Sequence, residues 1–174
     1  MRIRLQKSAA QANFSRYNPS TVKGFYESFF IRANHPVEPK AFWIRYTLFS
    51  PKDNPKDRTA SLWIIYFEGT SIYPSKTTFY WNDCCFPRKQ FSVELGGNFI
   101  NSARAKGESG QLSWDLHYKT EQSALFLLPL SMYNSPFPKA KSIVSQPFAL
   151  FNGQIKKAGL SIKIDNWIGS QNHN

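Results

Sequence analysis

Between Leu112 and Lys119 apolar and polar side chains alternate without a break. Leu112, Trp114, Leu116 and Tyr118 stand against Ser113, Asp115, His117 and Lys119. A period of two puts the two sets on opposite faces of an extended strand, one towards a core and one towards water. The preceding Gly107-Glu108-Ser109-Gly110 has the composition of a hairpin turn. Further strand candidates run along the whole chain. Phe25–Ala33 and Ala41–Phe49 flank a connection that holds Pro36 and Pro39, residues that stop pairing. Ser61–Glu68 is nearly continuous in apolar residues, which predicts a central strand or one buried on both faces. Lys76–Trp81, Gln90–Leu95 and Phe99–Ala105 are shorter candidates, with Gly96-Gly97 as a turn. Ala124–Leu130 is short and apolar, and 125–132 equally suits a helical turn. Pro129, Pro136, Pro138 and Pro147 punctuate the segment that follows. Phe148–Ile155 and Leu160–Asn166 read as a last hairpin about Lys156-Lys157-Ala158-Gly159. There is no fixed-period repeat and no long amphipathic helix. Many short strands at this spacing predict an all-β, antiparallel sandwich or barrel.

The totals fit one domain. The chain has 174 residues and is 16% aromatic, and aromatic residues favour strands. The expected division is a polar lead-in over 1–23, a β-domain over 24–166, and a linker over 167–174. No apolar run approaches the ~20 residues that span a bilayer. The charged start, Met1 to Lys7, lacks the apolar stretch of a secretory signal. Cys84 and Cys85 are adjacent and read as reduced thiols, which points to the cytoplasm. Two cysteines with His35, His117 and His173 make no zinc pattern, so no metal or cofactor is expected. A net charge of +11 invites a nucleic-acid partner. The lysines and arginines are scattered, however, from Arg2, Arg4 and Lys7 to Lys156 and Lys157, and no basic block forms. A basic nucleic-acid-binding β-barrel, stacking bases on exposed rings, stays as an alternative.

Three constellations offer chemistry. If the first hairpin folds about Val37–Glu38, Arg32 lies opposite Trp43 and Arg45 opposite Phe30. All four then share one face with Ser28 and Thr47. Phe25, Glu27, Phe29, Ile31, Phe42, Ile44, Tyr46 and Leu48 form the more apolar face, the expected core. The arginines then point to solvent. The sharper alternative puts them inside a barrel as anchors for a polar ligand end, with Glu27, Glu68 or Asp115 as partners. Asp115 and His117 share the polar half of the alternating strand, where exposure competes with a base-and-acid pairing. The end cluster Gln171-Asn172-His173-Asn174 is a polar loop or the edge of a site. Nucleophile elbows, phosphate loops and dinucleotide fingerprints are absent from the sequence.

Tyr26-Glu27-Ser28-Phe29-Phe30-Ile31-Arg32-Ala33-Asn34 with Ala41-Phe42-Trp43-Ile44-Arg45-Tyr46-Thr47 resembles the opening of the hydroxyneurosporene synthase (carotenoid 1,2-hydratase)-like group, also called AttH-like. Leu128-Pro129-Leu130, Tyr133 and Phe137-Pro138-Lys139-Ala140-Lys141 resemble the same group in the same order. So does Trp167-Ile168-Gly169-Ser170-Gln171-Asn172-His173-Asn174, which there continues into a second domain. The resemblance implies two lipocalin-like barrels in tandem, of the calycin kind, with this chain holding the first. It implies a hydrophobic small-molecule partner (terpenoid, carotenoid or lipid-like) and, in a full-length parent, hydration of a double bond. Asp115 and His173 are then the candidate proton carriers. Glu27, Arg32, Trp43, Arg45, Trp114, Trp167, Gln171 and Asn172 are candidates for ligand binding. A second barrel as partner would cover apolar surface near Trp167.

Overall fold

The computed structural model describes residues 11–20, 23–133 and 135–174. Residues 1–10 of the polar lead-in, with Arg2, Arg4 and Lys7, lie outside the described residues, as do residues 21–22. β1 (Phe25–Asn34) and β2 (Lys40–Ser50) form the first hairpin, with Arg32 opposite Trp43 and Phe30 opposite Arg45, the register expected from the turn prolines. β3 (Thr59–Glu68) and β4 (Ser71–Phe79) extend this meander. Then come β5 (Cys84–Cys85), β6 (Ser92–Leu95), β7 (Asn98–Asn101), β8 (Arg104–Ser109) and β9 (Leu112–Lys119). β10 (Leu125–Phe126), a single helical turn at Leu130–Tyr133, β11 (Ile143–Lys157) and β12 (Leu160–His173) complete the chain.

The strands lie in the order β4-β3-β2-β1-β12-β11-β9-β8-β7-β6-β5, with β10 added to β11. Every pairing is antiparallel. The sheet curls into a nearly closed barrel. Its open seam is bridged by side chains: the hydroxyls of Ser75 and Thr77 on β4 meet Ser109 on β8 at 2.9 and 2.7 Å. Among the described residues no helix is long and apolar enough to cross a membrane.

Inward parity follows the sequence alternation. Phe29, Ile31, Phe42, Ile44, Tyr46, Leu62, Ile64 and Tyr66 are each at most 1% exposed. A wettable void would leave its lining accessible, so the middle of the barrel is filled by side chains. β3 alternates: Ala60, Leu62, Ile64 and Tyr66 are buried inside, and Trp63, Ile65 and Phe67 are half-buried outside.

Two expectations are corrected. Phe99–Ala105 is two strands, because the Asn101 side-chain oxygen accepts from the Ala103 and Arg104 N–H groups (3.0 and 2.9 Å) and turns the chain. Residues 167–173 are no linker: they continue β12 and pair with β1, His173 opposite Phe29 and Gly169 opposite Ala33. Trp167 itself is 1% exposed, packed on Phe42 with ring centres 6.0 Å apart, and the exposed apolar side chains beside it are Ile168 and its cross-strand partner Leu150.

Candidate functional site

Opposed residues on neighbouring strands share a face. His173 opposes Phe29 and Gln171 opposes Ile31, so both side chains enter the barrel. Glu27, two residues before Phe29 on β1, enters at the same end. This end is crossed by residues 11–17, a strap from the polar lead-in. His173 Nδ1 lies 2.9 Å from the Ala12 carbonyl oxygen, and Nε2 lies 3.0 Å from Glu27 Oε1. Ser15 donates its hydroxyl to Glu27 Oε2 (2.6 Å), and the Arg16 backbone N–H donates to Oε1 (2.9 Å). Asn13 donates to Gln171 Oε1 (2.9 Å), which also accepts from Ser145. Residues 11–17 of the lead-in are thus built into the barrel end rather than preceding it.

The electrostatics follow from these bonds. The Glu27 and His173 side chains have no exposed surface. Burial opposes the charge on Glu27. The hydrogen bond and charge of His173, then Ser15 and the Arg16 backbone, outweigh it and hold the carboxyl below its ordinary value of 4.5. Both ring nitrogens of His173 face oxygen atoms, the Ala12 carbonyl on one side and the Glu27 carboxyl on the other. The result is a buried carboxyl–imidazole pair. A stack runs outward from it: His173 on Phe29 (ring centres 4.1 Å apart) and Phe29 on Phe91 (5.6 Å).

Phe91 leads into a cleft of about 620 Å³ at this end of the barrel. The strap supplies Asn13 and Phe14, and the segment before β6 supplies Lys89, Gln90 and Phe91. Ser92, Asn101, Ser102, Ser145 and Gln146 come from strand ends and the β7–β8 turn. Rings, amides, hydroxyls and one ammonium group therefore face one space. Among the described residues no cluster of three or more His, Cys, Asp or Glu could hold a metal ion.

Of the residues expected from sequence, Glu27, Gln171 and His173 come together here. Asn172 lies on the opposite face of β12, 6% exposed, and donates to Ser170 (2.9 Å). Arg32, Trp43 and Arg45 lie on the outer face of β1 and β2. The alternative that turned the arginines inward fails because Phe29 and Ile31 hold the inward positions. Arg45 stands over the rings of Tyr26 and Trp43, each centre 5.6 Å away, and Ser28 accepts from it at 3.2 Å. Asp115 is also outside. Arg104 grips it with two bonds of 2.8 and 2.6 Å, and that hydrogen bonding keeps its carboxyl below the ordinary value. Asp115 and His173, the two expected proton carriers, are therefore kept apart by the barrel wall. Trp114 and Trp167 are core residues, and Trp114 also borders a separate cleft of about 470 Å³ beside Gly107. The strap residues Asn13, Phe14 and Ser15 escaped sequence reasoning because a polar lead-in has no periodicity. Phe91 fell within an expected strand but carried no mark of a cleft.

No family model matches the chain, and no curated protein matches it. A solved structure does. The chain is similar in fold to a crystal structure of a Nitrosomonas europaea protein provisionally named AttH. The TM-score is 0.65 at 12% identity, over 85% of this chain and 50% of that one. This chain thus spans half the length of its neighbour. The likeness shows an AttH-like, lipocalin-like β-barrel. At that identity it shows fold alone.

Proposed function

We propose that the protein binds a hydrophobic small molecule, terpenoid, carotenoid or lipid-like, in the cleft between the strap and the β6, β7 and β11 ends. The observation that carries this reading is a cleft of about 620 Å³ walled by Phe14 and Phe91, at the mouth of a barrel whose middle is full. Ligand sites combine apolar walls with a few placed polar groups, and barrel mouths are a common place for them. Binding rather than turnover is the favoured reading. Hydration of an alkene needs an acid free to protonate it, whereas Glu27 and His173 bond only to protein groups. A second β-domain as partner is compatible with the half-length match.

The test is titration with the neutral dye N-phenyl-1-naphthylamine. One saturable site is expected. Ser102→Trp, which puts an indole into the cleft from an exposed turn, should abolish binding without moving the unfolding midpoint. Dye binding that survives this variant unchanged would move the ligand elsewhere or remove it.

A further inference from the structure

The cleft is bordered by an unusual charge arrangement. Lys89 lines it, and Lys89 and Phe14 also line an adjoining cleft of about 470 Å³ that holds Arg16 and Arg88. Neither lining contains an aspartate, and the one glutamate nearby, Glu27, is sealed behind the strap. Its oxygens are taken by Ser15, His173 and both the backbone N–H and the guanidinium Nε of Arg16. Among the described residues Arg88 and Lys89 have no hydrogen-bond or ion-pair partner. Arg16 is matched by Glu27, its Nε 3.4 Å from Oε1, but Arg88 and Lys89 are adjacent cations without a counter-charge among the described residues, and an anion placed between them relieves their repulsion.

Resting on the ligand-binding reading above, we infer that the ligand is an amphiphile with an oxyanion head, its tail against Phe14 and Phe91 and its head held by Arg88 and Lys89. Arginine and lysine at a half-open rim suit both carboxylate and phosphate oxygens. Hydrogen bonds to charged groups are stronger than neutral ones, so the head should add to affinity rather than merely orient the tail.

The experiment compares displacement of N-phenyl-1-naphthylamine by dodecanoate, monododecyl phosphate, 1-dodecanol and dodecyltrimethylammonium, all below their micellar concentrations. Dodecanoate or monododecyl phosphate should displace the dye at about tenfold lower concentration than 1-dodecanol, and the cationic amphiphile should be weakest. Whichever anion is stronger identifies the head as carboxylate or phosphate. In the double variant Arg88→Ala, Lys89→Ala the anion advantage, read as the ratio of 1-dodecanol to anion concentrations that displace the dye, should fall to about one. Both side chains are exposed, so the fold should be unaffected. If 1-dodecanol displaces the dye as well as both anions do, or if the double variant keeps the advantage, the head-group inference fails and the ligand-binding reading stands. If the dye never binds, both fall.

Discussion

Glu27 is a polar interruption in an otherwise apolar inward row, Phe25, Phe29, Ile31 and Ala33. Its place in that row was legible from parity. Its partner was not, because His173 meets it across 146 positions of chain. Nothing local signals such a contact. Removing one member of a buried pair strands the other, so Glu27→Gln should destabilise the protein by about 3 kcal/mol, read as a lower urea midpoint at neutral pH. The carboxyl is held below its ordinary 4.5, so its stabilisation is complete above that value and is lost as pH falls through the folded-state value. The wild type should therefore lose stability on acidification below pH 4.5, and Glu27→Gln should show a flatter profile there. An identical acid profile in the two proteins would refute this account of the pair. Asp115 illustrates the opposite case. Its outward position followed directly from alternation, but its Arg104 partner depended on the pairing of β8 with β9.

At the scale of elements, the register of the β1–β2 hairpin is legible to the residue, with its strand ends within one residue, because prolines and alternating faces fix it. The Gly96-Gly97 turn was also legible: φ values of +55° and +83° suit a two-residue hairpin and favour glycine at both places. The end of β12 was missed. Gly169-Ser170-Gln171-Asn172-His173 looks like a loop because its inward neighbours are polar, and apolar alternation cannot mark a strand that faces Glu27 and Asn13. Gly169 carries the one local clue. A Cβ there would lie 1.9 Å from the Arg32 carbonyl oxygen, so β12 approaches β1 too closely for any side chain. Gly169→Val should cost about 3 kcal/mol or more and release the amides of Phe30–Ala33 to fast hydrogen exchange. Retained protection there would show that the strands can part and re-form around the new side chain.

For the molecule as a whole, composition and turn spacing led to an antiparallel sandwich or barrel, the resemblance pointed to the barrel, and strand order did the rest. Most neighbours in the sheet are neighbours in sequence. The exceptions are β1 with β12 and β9 with β11, and the strap adds a further remote contact. The candidate site lies where these remote pieces meet, which is why its fold was legible and its membership only partly so. The β1–β12 seam also has a kinetic meaning. Its two strands are separated by nearly the whole chain, and closing so long a loop costs entropy before any contact rewards it. Folding should therefore take milliseconds to seconds, as for other topologies rich in remote pairs. The two meanders on either side can form first; bringing their ends together sets the barrier, and the buried Glu27–His173 contact forms only after it. In stopped-flow experiments the seam variant Glu27→Gln should speed unfolding and leave the refolding rate nearly unchanged. The last bonds to form would be the first to open, which makes the strap and seam the timer of the protein's lifetime in the folded state.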